Sequence, residues 1–284
     1  MRIMERLIFL RKDPLAAAVI VCLFAVGLIG LPYENVGALL SNDPLKASLS
    51  GMIVCRAAGL AAMLFLHRLI GFSSGLRLRK GALLALLPAL LVAVNNAPLI
   101  ALFSGSVGVT AGAEQVILFA LACVFVASFE ELTFRGIVFP LLLSHFGAGK
   151  RERTAAVLAS SLLFGLMHLV NLVSGGVGET FLQAGYTFLI GAMFAVVLLC
   201  TGDLAVCIVL HSVYNFGGML VPTLGYGSFF DLWSIPAIAV TALIGAAAIV
   251  FYLFALLRLP DGCAERLYRL SARQRFVLNG ALTA

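Results

Sequence analysis

Two adjacent carboxylates and an arginine stand in one of the most apolar stretches of the chain, SFEELTFRGIVFP at residues 128–140. Placing a charge at mid-bilayer costs about 2.5–3.5 kcal/mol on insertion scales, so ionisable groups in such a stretch call for a partner or a task. Glu131 and Arg135 are four apart and share a helix face, with the carboxylate N-terminal to the cation, the more favourable order. Their spacing predicts an ion pair that neutralises itself. Glu130 points about 100° away around the same helix and has no equally well-placed cation. It must find its partner on another segment.

Two other apolar segments offer one. FGLMHLVN carries Phe164 and His168 four apart, with Asn171 a turn further on. HSVYN places His211 and Asn215 on one face, again four apart. A carboxylate beside an imidazole can hold and deprotonate a water. An imidazole and an amide one turn apart can donate to the oxyanion that forms when that water attacks an acyl carbon. A site poor in solvent strengthens both effects, because a low dielectric magnifies each charge–dipole contact. The set therefore points to hydrolysis of an acyl bond. Measured along ideal helices, Glu130 and His211 lie about 12–14 Å from the inner ends of their segments and His168 about 21 Å. Tilt has to absorb that mismatch.

The elements that must position these groups are membrane helices. The chain of 284 residues is 62% hydrophobic and 11% charged, whereas an ordinary soluble domain is near half apolar and a quarter charged. The excess sits in eight continuous runs, near 14–32, 51–70, 82–103, 116–139, 154–173, 180–201, 203–220 and 235–257. Each approaches the ~20 residues needed to span the hydrocarbon core. The runs do not alternate, which excludes a barrel. The expected fold is all-α, a polytopic bundle of about eight transmembrane helices enclosing an intramembrane polar cavity. Residues 1–257 form one transmembrane domain, its motif-bearing core at 116–220, and 258–284 form a basic amphipathic tail. Gly202 and Asp203 are expected to make a tight turn.

Apart from the intramembrane Arg56 and Arg135, the basic residues fall in four groups, at Arg2 to Lys12, Arg68 to Lys80, Lys150 to Arg153 and Arg258 to Arg275, and Lys46 stands alone in the opposite loops. With eight crossings all four lie on one side. The positive-inside rule then places both termini in the cytoplasm. Short loops and basic termini suit a bacterial inner (plasma) membrane. The net charge of +6 reports topology and attraction to the inner leaflet, not a nucleic-acid partner, since no basic segment is interleaved with base-stacking aromatics. The six cysteines form no CxxC pair and read as small apolar residues.

EELTFR fits the pattern EExxxR, FGLMH fits FxxxH and HSVYN fits HxxxN, in that order and on separate apolar helices. In this the chain resembles the CPBP family of intramembrane glutamic endopeptidases, which includes the CAAX prenyl endopeptidases and the bacterial Abi proteins. The resemblance covers Glu130 to Asn215. It implies that Glu130 and His168 activate a water, that His211 and Asn215 form the oxyanion hole, and that Glu131, Arg135 and Phe164 support them. It implies no cofactor, and a membrane-anchored protein or peptide as substrate.

Other readings stay open at this level. Glu130, His168 and His211 could form a two-histidine, one-carboxylate metal set, although HExxH is absent. A non-enzymatic immunity or transport protein could use the same charges as a relay. GFSSG at Gly71–Gly75 fits GxSxG, but it lies in a basic loop where glycines and serines are ordinary, so Ser73 is not expected to act. Arg56 is expected to pair or snorkel, and Asn95 and Asn96 to bridge helices. Client, cleavage position and oligomeric state are not encoded in these patterns.

Overall fold

The computed structural model describes residues 12–72, 83–173, 175–260 and 262–268. Ser73 and the basic stretches at 1–11, 73–82 and 269–284 lie outside the described residues. The helices are α1 Pro14–Ile29, α2 Tyr33–Ala38, α3 Pro44–Ile70, α4 Leu83–Asn95, α5 Leu99–Ser104, α6 Ala113–Glu131, α7 Phe139–Phe146, α8 Lys150–Met167, α9 Val177–Thr201, α10 Leu204–Leu224, α11 Phe229–Leu232, α12 Ile235–Arg258 and α13 Glu265–Tyr268. A π-helical turn, Leu132–Val138, joins α6 to α7, and a 3-10 turn, His168–Val173, follows α8. Two short strands, Gly108–Val109 and Gly225–Tyr226, pair antiparallel.

Among the described residues, seven helical segments are long and apolar enough to cross a membrane. The expected third span, 82–103, is not continuous. It breaks after Asn95 and resumes at Leu99, because Pro98 has no N–H and disfavours helical geometry at the residue before it. Its first part, 13 residues or about 20 Å, is shorter than the hydrocarbon core. The break has a use. Nδ2 of Asn96 donates to the carbonyl of Tyr214 on α10 at 2.8 Å, and Nδ2 of Asn95 donates to Thr241 on α12 at 2.9 Å. Both asparagines bridge helices, as their apolar setting required.

The remaining elements follow local chemistry. α1 and α3 each start with Pro at the first positions and an aspartate cap, Asp13 and Asp43. Gly202, at φ 71°, ends α9 in the left-handed region. Asp203 then caps α10 by accepting from the Ala205 N–H at 2.9 Å. Arg56 donates to the carbonyls of Leu28 and Ile29 at the end of α1, satisfying acceptors that a helix leaves unpaired. Arg153, fully buried, does the same for α12, donating to Leu256, Leu259 and Pro260. That contact fixes the start of α8 against the end of α12.

The core is built around the π-helical turn. All seven residues of Leu132–Val138 are buried. Phe139 N–H reaches five residues back to the Phe134 carbonyl. Pro140, near the start of α7, has no N–H, and its ring opposes a carbonyl in the ordinary register at Gly136. The wider turn relieves that conflict. Such turns gather at functional sites, and this one directly follows Glu130 and Glu131. α8 packs along α9, while α3 and α10 flank α6.

Candidate active site

Glu130 and Glu131 end α6, and only Glu131 is completely sealed from solvent, at 0% exposure. Its Oε1 lies 3.1 Å from Nη1 of Arg135 and 2.7 Å from Nδ1 of His211 on α10. The expected ion pair is present, but its carboxylate has a second partner that no local spacing announces. The Arg135 contact is a charge contact rather than an aligned hydrogen bond, since Nη1 meets no acceptor in good geometry. Arg135 is held in other ways. Its Nη2 donates to the Gly191 carbonyl at 3.1 Å. Its guanidinium carbon lies 4.4 Å from the Phe164 ring centroid and 5.6 Å from that of Phe194. Cations over aromatic faces gain most where water is excluded.

The neutral tautomer of His211 follows from these contacts. A carboxylate only accepts, so Nδ1–H donates to Glu131 and Nε2 carries the lone pair. Nε2 lies 3.7 Å from Oε2 of Glu130, too far for a direct hydrogen bond and suited to a bridge through water. The two neighbouring carboxylates thus address the two nitrogens of one imidazole. Arg56, on α3, is close enough for its charge to attract Glu130 and stands 5.9 Å from the Phe129 ring. Two guanidiniums and two carboxylates balance in charge with His211 neutral.

Phe164 joins the second histidine to the first. Its ring meets that of His168 edge-on at 5.0 Å and that of His211 edge-on at 6.0 Å. The side chain is 1% exposed, so it acts as a buried wedge. His168 does not continue a regular α-helix to the end of the expected 154–173 span. It caps α8 at the change to 3-10 geometry. Its Nδ1–H donates to the Phe164 carbonyl at 2.9 Å, which leaves Nε2 as an acceptor. The depth mismatch is met in part by helix extent. α8 starts at Lys150, beyond the end of α7, and α6 runs through the π turn into α7 as one segment of 34 residues. Phe164 therefore comes level with His211. Direct contact between His168 and Glu130 is not among the described interactions, and the histidine beside Glu130 is His211.

Asn215 lies half-buried one turn beyond His211 on α10 and makes no hydrogen bond with any described residue. Asn171 does not share a regular helix face with His168; its Nδ2 donates to Gln183 on α9 at 2.8 Å. Gly191 and Phe194, the further supports of Arg135 and His211, carry no sequence signal, being a glycine and a phenylalanine in an apolar run. Phe194 stacks at 5.5 Å from the His211 ring. A Cβ on Gly191 would meet Phe164 at 3.1 Å and Ser161 at 3.4 Å, so the absent side chain is what lets Arg135 reach its carbonyl.

Residues 112–217, which hold all three motifs, match the family model described as type II CAAX prenyl endopeptidase Rce1-like. No curated protein and no solved structure matches the chain. The motif-bearing core, with its paired glutamates, its two histidines and its apolar helices, is thus similar to the CAAX-type intramembrane proteases of the CPBP family.

Proposed function

We propose that the protein is an intramembrane endopeptidase of glutamic type, cutting a peptide bond in a membrane-tethered protein or peptide. One observation carries this reading: Glu130 and Glu131 lie against opposite nitrogens of His211, at 3.7 and 2.7 Å, while Phe164 holds both imidazoles. A water near Glu130 donates one proton to its carboxylate and offers its oxygen to the acyl carbon. His168, through Nε2, helps to hold that water. The proton leaving the water passes by way of Glu130 toward Nε2 of His211. The imidazolium so formed faces Glu131 on one side and donates to the oxyanion on the other, beside the amide of Asn215. When the C–N bond breaks, the departing amine takes the proton back. Each donor acts where negative charge develops, which is where such contacts lower a barrier most.

The substrate follows from the setting. A site among buried helix residues favours a client already held at the bilayer, by a lipid or a helix. The four basic groups, all on one side of an eight-crossing chain, favour cytoplasmic termini in a bacterial inner membrane.

Glu130→Gln is the decisive test. The change is nearly isosteric and removes the base. Glu130 makes no direct hydrogen bond among the described residues, His211 standing 3.7 Å away, so the fold is expected to persist. Hydrolysis of a prenylated reporter peptide in liposomes should fall to background. Retained turnover would sink the reading. A wild-type enzyme that cuts a soluble peptide as fast as the anchored one would overturn the tethered substrate alone.

A further inference from the structure

We propose, building on the hydrolytic reading above, that Asn96 is a positioning residue of the oxyanion hole, its amide fixing the turn of α10 that carries Asn215. Asn96 precedes all three motifs and lies outside the family match at 112–217. It stands in the break between α4 and α5, where its N–H donates to the Val92 carbonyl at 3.2 Å and the Ala97 N–H donates to that of Val94 at 3.1 Å. The break is therefore an ordered turn. From it Nδ2 of Asn96 donates to the Tyr214 carbonyl at 2.8 Å. That oxygen belongs to the peptide group that ends in the N–H of Asn215, and a peptide group is one rigid plane. Holding the carbonyl thus holds the backbone at Asn215 itself.

Close packing makes the contact specific. A Cβ on Gly218 would come within 2.2 Å of Nδ2 of Asn96, and one on Gly217 within 3.0 Å of the Ala97 backbone nitrogen. Two consecutive glycines on α10 are what admit the break to that helix. His211, Asn215 and Gly218 fall at i, i+4 and i+7, on one stripe of α10. The Asn96 amide takes the place of a Gly218 side chain, next to Asn215 on that stripe. The helix gains a brace where its own bonding lapses. Pro222 has no N–H to give the Gly218 carbonyl, and its ring opposes that oxygen. Asn215 makes no side-chain hydrogen bond among the described residues, so its backbone is what aims its amide. Asn95 makes a similar bridge, to Thr241 on α12 at 2.9 Å, which involves none of the site residues. The opposing view is that Asn96, too, merely ties two helices.

The two views differ in kinetics. The probe is the prenylated reporter peptide in liposomes, with kcat taken per folded molecule. Misplacing a catalytic group by about 1 Å can cost about a hundredfold. Asn96→Ala is therefore expected to lower kcat about ten- to a hundredfold with KM within about threefold. Asn95→Ala, the control, should lower the unfolding temperature as well but keep kcat within about twofold of wild type. The loss at Asn96 must also run through Asn215. In an Asn215→Ala enzyme, already slowed by its missing donor, adding Asn96→Ala should lower kcat by less than about threefold, whereas a merely structural fault would add in full. Gly218→Ala, whose Cβ displaces the amide from Tyr214, should repeat both the loss in kcat and its dependence on Asn215, and it decides the matter should Asn96→Ala fold poorly. An Asn96→Ala enzyme within about twofold of wild type in kcat, one changed in KM alone, or an equal loss with and without the Asn215 amide overturns the proposal. Glu130→Gln, run in parallel, separates the two failures. If it is inactive while Asn96→Ala is fully active, only the role of Asn96 falls; if it is active, the hydrolytic reading falls first.

Discussion

Replacing Glu131 by glutamine tests the link between the buried carboxylate and His211. The amide has nearly the same shape and still offers an oxygen to Nδ1–H, so the imidazole keeps its orientation. What disappears is the negative charge, 2.7 Å from Nδ1 and 3.1 Å from Arg135. Exchanging a charge-assisted hydrogen bond for a neutral one removes about 1.4 kcal/mol. If His211 becomes an imidazolium in the transition state, two unit charges about 4 Å apart contribute about 4 kcal/mol at an effective dielectric of 20. The predicted fall in kcat thus runs from about tenfold to about a thousandfold, with KM little changed. Arg135 also loses its carboxylate while staying buried, and breaking such a pair costs about 3–5 kcal/mol. Its bond to Gly191 and its contacts with Phe164 and Phe194 should keep the loss toward the lower figure. Turnover per folded molecule of the anchored reporter, beside thermal unfolding in detergent, separates the two effects. A folded Glu131→Gln enzyme with kcat within twofold of wild type would refute the role of Glu131 in steadying His211.

Other expectations follow from single contacts. Gly165→Ala puts a Cβ 2.7 Å from the backbone oxygen of Ala184, so α8 and α9 must separate, at about 1–3 kcal/mol; activity should fall as well, because His168 follows three residues on. Gly185→Ala, with nothing within 4 Å, is its control and should leave thermal stability unchanged or raised. Phe164→Ala empties the wedge between the two imidazoles and should cost about 3–5 kcal/mol, seen as a lower unfolding temperature together with lost activity. Arg153→Ala leaves the carbonyls of Leu256, Leu259 and Pro260 without their donor, at about 3 kcal/mol, and should speed trypsin cleavage beyond Pro260. Strong chelation should leave activity within twofold: among the described residues no group of three His, Cys, Asp or Glu is placed to hold a metal ion, and a guanidinium already neutralises Glu131.

Local rules carried the sequence reading a definite distance. Continuous apolar runs determined a helical membrane protein, because backbone groups in hydrocarbon must be paired within each segment. Spacing of four determined that Arg135 meets Glu131. The turn at Gly202 and Asp203 was legible for the same reason: its partners lie within a few residues. The order of EExxxR, FxxxH and HxxxN was legible too, as types and spacings.

What only the tertiary structure decided involves residues far apart or departures from ideal helices. Glu131 reaches Nδ1 of His211 across 80 positions of sequence, and no periodicity encodes which face of α10 turns toward α6. The π turn after Glu131, the 3-10 turn at His168 and the break before Pro98 each shift side chains off the positions an ideal helix assigns. The 3-10 turn is set by packing, since a run of apolar residues alone fits either register, whereas the π turn and the break answer to Pro140 and Pro98. The same packing brings Asn171 to Gln183, although in sequence they are ordinary polar residues near the ends of two spans. Close approach of helices depends on where side chains are small and where they interlock, and that is a property of pairs of surfaces, which a single strand of sequence does not specify.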